Sequence, residues 1–511
     1  VSVAQVPADH RGTKPGLAAG WILCFALAKL AVHLVTIAFT PYGIHRDEFL
    51  YLAMGEHLRF WGMDFPPAIA LISRFTRWMF GDTLFAVRFF PALAGTGILV
   101  LTAALTRELG GRRLAQVLAM VALLFCPLFI RPSVLLQPVV WDQLWWTLGF
   151  YAFLRVLAGG GRKWWALVGV AGGLGLLTKF SILFFALGVL TGILCCRSRS
   201  MLATYGPWLA AAIALVLGSP TLVGQVRLHF PVVIHMADLR HEQLSRVTAG
   251  EFLSGQVWML GLALLLALIG LVWLLRQPAL RPAGLTCAVA FLVIMLLQGK
   301  PYYVGPIYPF LFAAGAAALD RWNVAWARAI QTVLLAVFVL TGLPALPFGL
   351  PILPPPLMAR YCQAVGLKAA VTTNRGHLLS LPQDYADMLG WEAQVQAVSR
   401  VFESLSPGQK AAAGLIARNY GEAGALEFYG NRYGLPRRIM LPNNDLLWPA
   451  DQSCSVVVAI GIPAADLSRF FQHGQIAARF DDPWMVEEER DRVIAVADTP
   501  KRDLREAWRH R

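Results

Sequence analysis

The chain has 511 residues, of which 57% are hydrophobic and only 14% charged. Soluble domains carry about 25% charged residues, so a deficit on this scale excludes an ordinary water-solvated globule and points to a chain solvated mostly by lipid. The net charge of +14 does not point to nucleic acid as a partner, because the basic residues sit in short clusters between apolar runs, as the positive-inside rule expects.

Apolar runs near the roughly 20 residues needed to cross a bilayer core fall at 17–40, 84–106, 114–131, 134–157, 164–180, 181–196, 203–223, 256–275, 284–298, 303–319 and 328–350. Eleven spans are therefore expected. The first run is too long for a cleavable signal and lacks its small-residue end, so it reads as a retained span. Lys29 and His33, four apart within it, are expected to face other helices rather than lipid. Basic clusters at Arg11/Lys14, Arg107/Arg112/Arg113, Arg155/Arg162/Lys163, Arg197/Arg199, Arg276/Arg281 and Arg321/Arg328 occupy alternate connections, which places those connections in the cytoplasm. An odd number of spans then sends the C-terminal third outside. The expected home is a membrane, with that third on its outer side.

The opposite connections, 41–83 and 224–255, are long and chemically varied, which is where function concentrates. The first contains "HRDEFLYLAMGEHLRFWGMDFPPAIALI", residues 45–72. Asp47, Tyr51, Met54 and Leu58 share one helical face by their spacing, and Pro66-Pro67 is expected to end that helix and start a second, amphipathic one carrying Arg74, Arg77 and Trp78. Asp47 and Glu48 in a first helical turn have a plain reading as capping groups. Against it stands Asp142, an ionisable residue inside an apolar run and so a functional candidate by default. Asp64 lies on the same outer side by the alternation of loops. Carboxylates gathered at an outer rim suit general-base work or a divalent cation, for which Asp47, Glu48 and Asp64 are the candidates.

Lys179, in "GGLGLLTKFS", and Lys300, in "GKPYYVGPIYPF" beside Tyr302 and Tyr303, are cations expected at the outer headgroup level. Snorkelling accounts for such lysines; binding a lipid phosphate accounts for them equally.

Beyond "GLPILPPPLM" the composition changes, which divides the chain into a membrane domain, 1–350, and a linker with a soluble α/β domain, 351–511. "GLIARNYGEAGALEFYG" reads as strand, glycine turn and helix, and "CSVVVAIGI" as a buried strand. The first is more often a tight turn than a phosphate cradle at the helix N-terminus. Of seven cysteines, Cys362 and Cys454 are the two that an oxidising compartment could pair, though nothing in the sequence requires it.

The ordered set "RDEFLYLAMGEHL", "MDFPPAIALI", "GDTLFAVRFFPALAG", "GLGLLTKFSILFF" and "GKPYYVGPIYPFLFAAGA" resembles the membrane glycosyltransferases of family 39, which include protein O-mannosyltransferases and the aminoarabinose transferase of lipid A. "DMLGWEAQVQAV", "NYGEAGALEFYG" and "LPNNDLLWP" resemble the outer domain of bacterial members. The resemblance implies a GT-C fold and transfer of a sugar from a polyprenyl-phosphate donor, with inversion, to a lipid, glycan or protein acceptor. It places the catalytic acid on Asp47, supported by Glu48, and a second acid on Asp142. It sets Lys179, Lys300, Tyr302 and Tyr303 at the donor phosphate, and Arg46, Tyr51 and Asp64 on the acceptor side. Two cations of the aminoarabinose transferases are replaced: Leu50 precedes Tyr51 where they read D-E-x-R-Y, and Asp64-Phe65 stands where they read E-K. The alternative class, a flippase for a lipid-linked sugar, calls for inverted repeats with paired broken spans, and the sequence shows none.

Overall fold

The computed structural model describes residues 15–322, 325–366, 368–373 and 375–504; Arg11 and Lys14, the first expected basic cluster, lie outside the described residues. The chain is mainly helical, and each of the eleven apolar runs holds a helix. Among the described residues, five helices are long and apolar enough to cross a membrane: Ala19–Phe39, Leu84–Glu108, Tyr205–Arg227, Pro301–Asp320 and Trp326–Gly349. Three further pairs are bent by 80° or 111° at a short break, giving up to eight spans by length and composition. The expected count of eleven is not confirmed. Helix Arg162–Leu176 has 15 residues and Arg281–Leu296 has 16, short for a bilayer core, while Pro138–Leu157 carries Asp142, Gln143 and Arg155 among its apolar residues.

The chain divides into two compact units. One comprises the residues up to Ala38 with Arg59–Ile69 and Arg88–Leu350; the other comprises Phe39–Leu58, Ala70–Val87 and everything from Pro351 onward.

The first unit is a helical bundle whose core is aromatic. Phe150 stacks on Phe310 at 4.6 Å, and Trp146 and Phe185 pack edge-on beside them. Helices Ala263–Arg276 and Tyr308–Asp320 meet at backbone distance: a Cβ on Gly315 would lie 2.0 Å from the Leu266 carbonyl oxygen. Small residues permit such close crossings where lipid supplies no hydrophobic drive. Lys29 and His33 are both buried, and Lys29 Nζ lies 3.4 Å from the Phe129 carbonyl, so they face the bundle as their spacing predicts. Charged residues near the helix ends are paired: Arg112 bonds Asp320 and Arg155 donates to Glu108 at 2.8 Å.

The second unit combines the first-loop helices with a five-stranded sheet. Strands β1 (Ala413–Ile416), β2 (Ile439–Met440), β3 (Val456–Ile460), β4 (Phe471–Phe480) and β5 (Arg492–Pro500) run in the order β2-β1-β3-β5-β4. The β2-β1-β3 part is parallel and the rest antiparallel. β1 and β3 are buried along their whole length, as parallel strands are, whereas β4 is a largely exposed edge carrying Gln472, His473, Gln475 and Arg479. Cys362 and Cys454 are separate buried thiols.

Helix Arg46–Glu56 belongs to this unit. Its Phe49 is fully buried among Trp391, Phe428 and Tyr429, at ring separations of 5.7, 6.2 and 5.9 Å. A Cβ on Gly424 would fall 2.6 Å from Phe49 Cβ, so helix Tyr420–Tyr429 can lie against Arg46–Glu56 only with glycine there. The expectation that Pro66-Pro67 ends the first helix is corrected. That helix stops at His57, and a turn closed by the Gly62 N–H on the Arg59 carbonyl at 2.7 Å follows; Leu58 lies beyond the helical face. The double proline only precedes the second helix, Ala68–Phe80.

Candidate active site

In the second unit, His45 caps helix Arg46–Glu56. Its Nδ1 accepts from the Asp47 N–H at 3.0 Å, while Glu48 Oε2 accepts from the His45 N–H at 2.7 Å. This reciprocal arrangement satisfies two otherwise orphaned donors and gives the buried Glu48 carboxylate a structural task. Asp47 is half-buried, and its Oδ1 accepts from the Tyr420 hydroxyl at 2.7 Å. Burial first, and then the Asp47 charge, pushes the Tyr420 phenol well above its ordinary range, so it remains a proton donor to Asp47. Arg46 sits 6.0 Å over the Tyr420 ring and 3.3 Å from Asp387. Tyr51 lies one turn beyond Asp47 on the same helix, half-buried.

The residues grouped as a metal site would be are not those the sequence nominates. His45 Nε2 faces Asp384 Oδ1 at 3.9 Å and Asp387 Oδ2 at 4.0 Å. The cap rules a cation out. A neutral imidazole whose Nδ1 accepts a hydrogen bond carries its proton on Nε2, which leaves no lone pair there, and the Arg46 guanidinium already holds Asp387. Glu48 is committed to its cap. Among the described residues Asp47, Glu48 and Asp64 are not grouped as cation ligands, and no step is routed through a divalent cation.

In the first unit, four of the nominated residues come together. Asp142, buried, accepts from Ser181 Oγ at 2.7 Å and lies 3.8 Å from Lys179 Nζ. The same ammonium sits over the rings of Tyr303 at 4.6 Å and Tyr302 at 5.6 Å, and the two rings meet edge-on. Trp145 donates to Thr178 at 3.0 Å and so braces the turn that carries Lys179. Lys179 is thus held by a carboxylate and two ring faces and does not simply snorkel.

Asp64 and Lys300 form a second group in this unit. Gln225 Nε2 donates to the Asp64 carbonyl at 2.7 Å, and Phe65 packs edge-on to His235 at 5.2 Å. Burial raises the Asp64 carboxyl above its usual range. Burial also lowers His235, with Lys300 close enough to oppose its protonation further.

Tyr420, His45, Asp387 and Ser181 were not nominated by the sequence. Tyr420 opens the glycine-rich helix after β1, but nothing local ties it to an acid 373 positions earlier. The phosphate-cradle reading of that helix fails for a specific reason. Asn419 accepts from the N–H groups of Gly421 and Glu422, and the Glu422 carboxyl accepts from the Arg418 N–H, so the chain's own side chains already occupy the place.

Over residues 64–223 the chain matches the family model described as dolichyl-phosphate-mannose-protein mannosyltransferase. Among solved structures it is similar to ArnT from Cupriavidus metallidurans bound to undecaprenyl phosphate, with a TM-score of 0.62 and 16% identity over 93% of this chain and 98% of that one. The apo form of the same protein gives 0.63 and 16%, over 94% and 98%. No curated protein matches the sequence. The fold and its apolar helices thus define the class: a multi-pass membrane protein with the GT-C glycosyltransferase fold. Within that class, the resemblance to family 39 stands on the match across residues 64–223.

Proposed function

We propose that the protein transfers a sugar from a polyprenyl-phosphate donor to an acceptor hydroxyl on the outer face of a bacterial inner membrane, with inversion, and that its C-terminal unit is extracytoplasmic. The observation that carries this reading is the Lys179 ammonium, held between Asp142 and the faces of Tyr302 and Tyr303. A cation fixed this way in an apolar bundle suits a single phosphate, the headgroup that a polyprenyl-phosphate sugar presents. Lys300 and its neighbouring tyrosines serve the same headgroup. The undecaprenyl phosphate bound by the structurally similar ArnT supports that donor class.

Asp47 is the general base. It removes the proton as the acceptor oxygen attacks the anomeric carbon from the face opposite the departing phosphate, which inverts that centre. Tyr420 fixes the orientation of the carboxylate, and Glu48 holds the helix that carries it. Arg46, Tyr51 and Asp64 form the acceptor side, and the acceptor is a lipid, glycan or protein. Asp142 orients Lys179 and balances its charge.

The test is sugar transfer in proteoliposomes supplied with a polyprenyl-phosphate sugar and an envelope extract as acceptor. Consumption of donor that requires both Asp47 and Lys179 supports the reading. Donor left intact by the wild-type protein, with lipid-linked sugar moved across the bilayer instead, overturns it in favour of a flippase.

A further inference from the structure

Helices Arg46–Glu56 and Tyr420–Tyr429 lie side by side and are joined at both ends. Asp47 meets Tyr420 at one end, and at the other His57 Nε2 lies 2.8 Å from Glu427 Oε1. Asp47 and His57 are about 15 Å apart along the helix axis. At the His57 end the second unit opens into a cleft of about 650 Å³, within the range of small-molecule sites.

Four arginines and four carboxylates line this cleft, and the carboxylates all have cationic or N–H partners. Arg77 donates to Glu56 at 2.6 Å and to Asp82 at 2.5 Å. Glu427 is shared between His57 and the indole N–H of the buried Trp448, the latter at 2.7 Å. Asp451 faces Arg438 at 4.0 Å. A polyanion entering here meets four acids and a polycation meets four guanidinium groups, while an apolar tail would strand the hydrogen-bonding capacity of both. What the walls match is a neutral ligand rich in hydroxyls. Each hydroxyl donates and accepts, a carboxylate has about four lone-pair sites and a guanidinium five N–H groups. Arg437, exposed and without a side-chain partner among the described residues, and Asn431 supply further capacity at the rim. Because Glu427 and Arg77 are already fixed by their neighbours, little side-chain freedom is lost when a ligand arrives.

We propose that this cleft is a saccharide subsite that seats a neutral, polyhydroxylated stretch of a glycan acceptor, away from the hydroxyl that reacts at Asp47. Its place in the reaction rests on the glycosyltransferase reading; the binding itself does not.

The experiment is saturation-transfer NMR on the full-length protein in nanodiscs, with a panel of defined envelope-type oligosaccharides in neutral and phosphorylated forms and with inorganic phosphate. Neutral oligosaccharides should receive saturation, and Arg437→Ala and Glu427→Gln should each weaken them by roughly tenfold or more, as loss of a hydrogen bond to a charged group does. Arg437 is exposed, so its variant folds normally even if Glu427→Gln does not. Asp47→Asn should bind as wild type does, which separates this outcome from failure of the catalytic reading. Saturation confined to phosphorylated forms or phosphate, no saturation of any oligosaccharide, or binding that survives Arg437→Ala overturns the subsite.

Discussion

The Tyr420 hydroxyl donates to Asp47 Oδ1 at 2.7 Å across 373 positions of sequence. A residue from the C-terminal third therefore sets the orientation of the proposed base in the first loop. A hydrogen bond to the ionised form favours that form and holds a carboxyl pKa down. Tyr420→Phe removes the donor while keeping the ring under Arg46. Transfer should fall by roughly tenfold, in line with a bond to a charged group, and the acid limb of the kcat/KM profile should move to higher pH as Asp47 becomes easier to protonate. A variant that loses rate with the limb unmoved would give Tyr420 a packing role alone.

Asp47→Asn separates a base from a cap. Asparagine caps helices about as well as aspartate, and the N-cap here is His45 in any case. Removing the charge should lower transfer by roughly 10²–10⁴ with detergent-extracted stability near wild type. Turnover close to normal at saturating donor would end the assignment and move attention to Asp142 or Asp64.

Lys300→Ala and Lys179→Ala should both raise the donor requirement, by about ten- to a hundredfold in kcat/KM at low donor. Lys300→Arg should recover part of that loss. Lys179→Ala should cost stability as well, because it leaves the buried Asp142 without its cation. Measuring donor KM and thermal midpoint together distinguishes the two lysines. An unchanged donor KM in Lys300→Ala would mean that this residue only reaches for the interface.

What the sequence made legible follows from the range of the signals. Apolar runs are local, and each one holds a helix. How many cross a membrane is not local: three pairs bend sharply at breaks such as Phe125–Cys126 and Gly261–Leu262, where a hydropathy reading sees one continuous run. Asp142 and Lys179 stood out because a charge in or beside an apolar run is conspicuous wherever it falls, whereas their meeting with each other and with Tyr302 and Tyr303 is a matter of packing that no local signal carries. Tyr420 and Asp387 did not stand out. Each is an ordinary residue in a soluble-looking tail, and its significance appears only when Phe49 buries itself against Trp391, Phe428 and Tyr429 and so brings the first loop to the sheet. Glu48 follows the plainer of its two sequence readings, since an acid in a first helical turn caps, and here it accepts the His45 N–H.

Two buried acids, one on the Tyr420–Tyr429 helix and one beside β5, share a single cation. Glu422 and Glu489 are both buried and share Arg492, at 3.1 Å from each. Burial, and secondarily the charge of Glu489, pushes the Glu422 carboxyl up to about 8. The folded-state value thus lies above the unfolded one. Between the ordinary glutamate range and about pH 8 the native state holds a proton that the unfolded chain has lost, and stability falls as pH rises through that window. Glu422→Gln keeps the shape and an acceptor for the Arg418 N–H but has nothing to titrate. Relative to wild type its thermal midpoint in detergent should be similar near pH 4.5 and should rise progressively above it towards pH 8, then level off. A variant that is instead less stable than wild type at pH 7.5 would show that Glu422 works as an ionised partner of Arg492, and that Glu489 holds the proton.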